Sequence, residues 1–108
     1  MTETDALAAL AALAHPTRLA AFRLLVRHEP DGLSTGHLAA AAGLTQSTFS
    51  THLAVLVKAG LVTPEKRGRQ IIQRAHLDAL RALMVFLAKD CCQGRAELCA
   101  PLLAELTC

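Results

Sequence analysis

A mainly α fold carrying one small β-hairpin is what the sequence predicts, from three observations. Hydrophobic residues make up 53% of the 108-residue chain, yet there is no Trp or Tyr and only three Phe. Most of that apolar content is Ala and Leu, the strongest helix formers. Two stretches of helical periodicity meet around Gly43, each preceded by a hydroxyl residue suited to cap it, Ser34 and Thr45. Beyond them, two β-prone segments flank a run of basic residues. The length predicts a single domain spanning residues 1–108. Its apolar surplus predicts that some surface is buried against another subunit. A net charge of +2 identifies no nucleic-acid binder by itself, so local charge has to be read instead.

The first helix is expected from Ala6 to Ala14, where Leu7, Leu10 and Leu13 recur every three residues and form one apolar edge. That edge serves either the core or a subunit interface, since short Ala side chains let helices approach closely. Pro16 and Thr17 open a second helix with proline at a favoured first position. Leu19, Phe22, Leu25 and Val26 are its expected buried face, and Pro30-Asp31-Gly32 is its stop. Ser34 caps a third helix, Thr35 to Ala42, ended by Gly43. Thr45 caps a fourth, from Gln46 to about Ala59, with Phe49, Leu53, Leu56 and Val57 as the inner stripe. Two helices joined by a short turn around a glycine form a helix-turn-helix unit. The same spacing also occurs in plain αα-hairpins.

Surface chemistry favours the first reading. Gln46, Ser47, Thr48, Ser50, Thr51 and His52 fill the first two turns of the fourth helix with short hydrogen-bonding side chains. A merely solvated face more often carries Glu–Lys pairs. Amides and hydroxyls can read base edges in a major groove, and a helix N-terminus favours a nearby phosphate. Leu61–Thr63 and Gln70–Gln73 then read as strands around the basic turn Lys66-Arg67-Gly68-Arg69. Between Leu61 and Arg74 the net charge is +3, more than that of the whole chain. Such a hairpin is either a solvated turn or a wing on which Arg67 and Arg69 grip phosphates of double-stranded operator DNA. With the wing, the expected fold is a winged helix-turn-helix.

Leu80, Leu83, Met84 and Leu87 mark a fifth helix running from His76-Leu77-Asp78 to about Asp90, interrupted by Cys91-Cys92-Gln93-Gly94. Pro101 disfavours a helical Ala100 and is expected to begin a short terminal helix, Leu102 to Leu106. No apolar run approaches the roughly 20 residues that span a bilayer. The start, Met1 to Asp5, is acidic where a signal peptide is basic. No membrane partner is expected, and a cytoplasmic location is. There the four cysteines, at 91, 92, 99 and 108, are expected as reduced thiols.

Taken in order, Leu13-Ala-His-Pro-Thr-Arg-Leu19, Leu33-Ser-Thr-Gly-His-Leu-Ala39, Gly43-Leu-Thr-Gln-Ser-Thr-Phe-Ser-Thr-His-Leu53, Leu56-Val-Lys-Ala-Gly-Leu-Val62 and Arg67-Gly-Arg69 resemble the ArsR family of metalloregulatory repressors. The resemblance covers roughly residues 7 to 90. It implies a homodimer with most contact through the first and fifth helices, and promoter repression relieved by an inducer. The thiol box known at the start of the family's third helix is missing, for that segment reads His37-Leu-Ala-Ala-Ala-Ala42. Of the zinc-sensor residues on the fifth helix, only His76 and Asp78 are present, in reversed order. Instead, Asp90-Cys-Cys-Gln-Gly-Arg-Ala-Glu-Leu-Cys99 is similar to the tail of members that sense arsenite with a cysteine triad.

Cys91, Cys92 and Cys99 are therefore the candidate metal ligands. Free cysteines are often just small buried hydrophobes, but three thiols in nine residues form a cluster. In one continuous helix, Cys92 and Cys99 would stand about 10.5 Å apart along the axis. Thiolates sharing one ion at bonds near 2.3 Å sit on the order of 4 Å apart. A break between them is required, and Gly94 is expected to supply it. Three sulfurs suit As(III) or Sb(III), whose lone pair takes the fourth direction. Zn or Cd wants a fourth ligand, which Cys108 could supply, though no Cys-x-x-Cys pair is present. Lys89 and Arg95 favour thiolates, while Asp90 and Glu97 oppose them. The histidines, at 15, 28, 37, 52 and 76, read as structural or DNA-facing. A thiol redox switch pairing Cys91 or Cys92 with Cys99 is the nearest alternative. A pure interaction module is another. An enzyme is not expected, because neither a Cys-x5-Arg cradle nor a Cys-x-x-Cys redox pair occurs.

Overall fold

Thr2 opens the first helix by a reciprocal cap. Its hydroxyl accepts from the Asp5 amide at 3.1 Å while the Asp5 carboxylate accepts from the Thr2 amide at 3.2 Å. In the computed structural model, which describes residues 1–89 and 96–106 (the side chains of 96, 98 and 99 excepted), α1 spans Glu3–Leu13. It begins three residues before the apolar pattern does, because the cap rather than the pattern sets the start. Of the two roles open to its leucine edge, Leu7 and Leu10 do not take the one in the core. Ala6, Ala9 and Ala12 are buried, whereas Leu7 and Leu10 are 59% and 41% exposed. The methyl-sized stripe lets α1 lie close against its neighbours, which turns the bulkier leucines outward.

α2 (Pro16–Arg27) leaves α1 at a bend of 103°. His15 caps it, its Nδ1 accepting from the Thr17 amide at 3.1 Å. Arg18 reaches back to the last turn of α1, donating to the Ala12 carbonyl at 2.6 Å. Ala21, Phe22 and Leu25 form the buried face, and Leu19, expected there, is exposed. After the Gly32 turn comes a two-residue strand, β1 (Leu33–Ser34), which local pattern does not announce. Gly32 has φ 73°, and a Cβ there would stand 2.5 Å from the Gln73 carbonyl oxygen, so only glycine lets the turn meet the sheet.

Ser34 caps α3 (Thr35–Ala42) by accepting from the His37 amide, and Gly43 closes it at φ 70°. α4 (Gln46–Lys58) follows with Thr45 as its cap, as the sequence predicts. β2 (Val62–Arg67) and β3 (Gln70–Ala75) are longer than expected, and the sheet order is β1-β3-β2, all antiparallel. The basic turn is correspondingly shorter. Lys66 and Arg67 lie in the strand and only Gly68 and Arg69 form the connection. Pro64 sits in the edge strand β2, the kind of strand where a missing N–H is tolerated and where it hinders further pairing.

α5 spans Leu77–Ala88. It ends about two residues short of the expected Asp90, with Lys89 in an extended conformation. α6 spans Ala96–Glu105 and carries Pro101 inside it, so the terminal helix does not begin at the proline. The missing amide of Pro101 costs one intrahelical bond, and good helix formers on both sides carry the helix through. Phe49, Leu25, Leu38, Leu56 and Leu61 anchor the core, where α2, α3 and α4 meet the base of the hairpin. Gln73 is buried there too, its amide donating to Thr35 Oγ1 at 3.1 Å and tying β3 to the start of α3.

Candidate nucleic-acid interface

The orientation of α4 follows from its apolar stripe. Phe49, Leu53 and Leu56 are buried against the core, and the opposite ridge, Ser47, Thr51, Ala54 and Lys58, is exposed. Thr45 holds the first turn from outside, accepting from the Thr48 amide at 3.2 Å and donating to the Thr48 hydroxyl at 3.0 Å. Gln46 and Ser50 flank the ridge on the hairpin side, where they line a groove of about 420 Å³ with Thr35, Pro64 and Ile71. Five of the six expected base-reading residues, Gln46, Ser47, Thr48, Ser50 and Thr51, thus stand exposed on one helix. His52 does not join them in the open. It is half-buried, its ring stacked on that of His15 with centroids 4.5 Å apart and planes tilted by 34°.

The hydroxyls are not equivalent. Ser50 Oγ donates to the Gln46 carbonyl and Thr51 Oγ1 to the Thr48 carbonyl, each at 2.8 Å. Both hydrogens are committed within the helix, which leaves lone pairs and the Thr51 methyl for a ligand. Gln46 and Ser47 carry uncommitted side-chain donors among the described residues.

On the hairpin, Arg69 occupies the connection and shares a polar hollow with Ser34, Gly36, Gln46 and Gln70. The fold thereby brings the hairpin tip to the starts of both α3 and α4. Arg67, on β2, pairs with Glu65 at 3.1 Å, and both side chains are about half exposed. Arg74, counted in the basic hairpin, is turned elsewhere and pairs with Glu29 at 2.9 Å. The basic surface is accordingly narrower than the charge count suggests, centred on Lys66, Arg67 and Arg69. Lys58, Ala54 and Gln70 belong to this face and are absent from the sequence-derived set. The 3.6-residue period from Ser47 and Thr51 was the signal for the first two, whereas Gln70 needed the register of the hairpin.

The remaining candidates lie apart. Cys91, Cys92, Gly94 and Cys108 fall outside the described residues, and Cys99 is described only as backbone within α6. His76 precedes α5 with Nδ1 at 3.0 Å from the Gly60 carbonyl oxygen, and Asp78 pairs with Arg81 at 2.6 Å. No described helix is by itself long and apolar enough to cross a membrane.

A family model described as a helix-turn-helix domain matches residues 13–65. The chain is 38% identical to a "possible transcriptional regulator for arsenical resistance" of known crystal structure, with 91% of this chain and 95% of that one covered and a TM-score of 0.60. An ArsR-like transcriptional regulator from Rhodococcus sp. RHA1 is 27% identical over 90% of this chain and 89% of its own, with a TM-score of 0.73. A homodimeric winged helix-turn-helix DNA-binding domain from Mycobacterium bovis has the same fold, at 23% identity, a TM-score of 0.66 and 85% coverage of each chain. No curated protein matches the chain significantly.

Proposed function

Since the chain belongs to the ArsR family of winged helix-turn-helix, DNA-binding transcriptional regulators, we propose that it is a homodimeric repressor whose inducer is As(III), bound by Cys91, Cys92 and Cys99. The observation that carries this reading is the placing of the thiols. The first 90 residues contain no cysteine, and three follow within nine residues. Two further facts support it. α5 ends at Ala88 and α6 begins at Ala96, so the backbone of Cys99 belongs to a helix separate from α5. A single continuous helix would hold Cys92 and Cys99 about 10.5 Å apart, too far to share an ion. The 38%-identical relative is itself named for arsenical resistance.

Three thiolates satisfy As(III) or Sb(III) without a fourth ligand, which Zn and Cd would require. The exposed leucines of α1, with Val85, Phe86 and Leu87 on α5, offer the apolar surface a second subunit would cover, and the Mycobacterium bovis domain of the same fold is a homodimer. Drawing Cys99 towards Cys91 and Cys92, which follow α5 in the chain, would reorganise that interface and alter the separation of the two α4 helices. A coupling of about 1 to 3 kcal/mol loosens DNA by roughly 5- to 150-fold.

Titrating the reduced, DNA-bound protein with arsenite, antimonite, cadmium and zinc tests the reading. Arsenite is expected to bind once per subunit and release DNA, and Cys91→Ser, Cys92→Ser or Cys99→Ser to keep DNA binding while losing the response. Cys108→Ser is expected to be nearly silent. Normal release by arsenite without Cys99, or fewer than three sulfur neighbours on bound arsenic by X-ray absorption, would overturn it. DNA release by an oxidant but not by arsenite would point to a disulfide switch instead.

A further inference from the structure

The middle of α4 has a chemistry distinct from its two ends. Donors sit at the ends, with Gln46 and Ser47 in the first turn and Lys58 in the last. Between them, Ser50 and Thr51 have their hydroxyl hydrogens held within the helix, and Thr51, Ala54 and Val55 expose methyl groups. The Thr51 hydroxyl hydrogen is held by the Thr48 carbonyl at 2.8 Å, so this side chain can offer a base edge its methyl group and oxygen lone pairs. Ala54 is exposed one turn further along and offers a methyl alone. Val55 beside them, also apolar, is 39% exposed.

In the major groove, the A·T pair is the one that presents a methyl group, on thymine C5, together with an amino donor, on adenine N6. G·C presents an amino donor and no methyl. Positions three apart on a helix have Cβ atoms about 5–6 Å apart, a gap that a methyl group can fill. We infer that Thr51 and Ala54 form a thymine-methyl subsite, so that the base pair opposite the middle of α4 in each half-site is A·T. This rests on reading α4 as the base-contacting helix. It assigns the central turns of α4 to apolar recognition, and leaves hydrogen-bonded readout to Gln46 and Ser47.

The test uses the reduced full-length chain and duplexes it selects from a randomised pool. Each thymine of the selected half-site is replaced singly by deoxyuridine, which removes only the methyl. At one position per half-site, the replacement is expected to weaken binding about fourfold, the worth of one buried methyl-sized group. Thr51→Ser keeps the hydroxyl and removes the methyl, and it is expected to bind the thymine and uracil duplexes alike, with unchanged salt dependence and thermal stability. Ala54→Gly is expected to blunt the same discrimination. Equal binding of thymine and uracil duplexes at every position by the unmodified protein overturns the subsite, as does discrimination that survives in both variants. Those results leave the base-contacting reading of α4 standing. Failure to enrich any duplex removes that reading and the subsite together.

Discussion

His15 couples a helix cap to a proton. Its Nδ1 accepts from the Thr17 amide at 3.1 Å, which requires that nitrogen to be unprotonated. Burial first, then the neighbouring His52 ring and the Arg18 charge, hold its pKa below the ordinary histidine value. The unfolded chain therefore takes up this proton at higher pH than the folded one. The contribution of His15 to stability is full above about pH 6.5 and is lost as pH falls through the depressed folded value. The urea midpoint is expected to drop between pH 7.5 and 5.5, and to drop less in His15→Asn, which keeps a capping oxygen without titrating. Identical pH dependence in the two proteins would contradict this. On the hairpin, Arg67 is partly occupied by Glu65 and Arg69 is not. Arg69→Ala should weaken all DNA sequences similarly and flatten the logarithmic salt dependence by about one unit. Glu65→Gln should tighten binding to all of them. Binding titrations at several salt concentrations check both, and altered base preference at constant salt slope would speak against phosphate contact.

Among the elements, α1 shows how packing chooses between two stripes of equal period. Ala6, Ala9 and Ala12 recur every three residues as regularly as Leu7, Leu10 and Leu13, and the helix turns the alanines inward. Ala9→Leu should therefore cost about 1 to 3 kcal/mol through overpacking. Leu10→Ser, on the outer face, should leave the folding of one subunit nearly unchanged. Urea unfolding at low protein concentration distinguishes them, and equal effects would mean that the inner face has been misassigned. In α4 the analogous choice was legible in advance, because Phe49, Leu53 and Leu56 stand on one face and hydroxyl residues on the other. β1 had no such signal. Two residues cannot display a period, and Leu33 and Ser34 form a strand only because β3 offers them a partner.

The molecule as a whole leaves apolar surface uncovered on α1 and on α5, where Val85 is 59% exposed. A second copy over this surface would set two α4 helices for half-sites about 34 Å apart or a multiple of that spacing. Leu7→Glu combined with Val85→Glu should yield folded monomers with greatly weakened affinity for duplexes carrying two half-sites. Sedimentation and circular dichroism check this. A folded, fully dimeric double variant would place the interface elsewhere.

The sequence by itself determined the helices whose start and stop signals are local, α2, α3 and α4, with Pro16, Ser34, Gly43 and Thr45 at their ends. It likewise determined the hairpin and the polar character of the α4 face, since capping and periodicity act within a few residues. Only the tertiary structure decided which stripe of α1 faces inward, that His52 turns towards His15, that Arg74 leaves the hairpin surface for Glu29, and that Arg69 stands beside Gln46. Each of these depends on a partner distant in the chain. A side chain's own neighbours limit its conformation, but what it meets is set by elements packed against it from elsewhere.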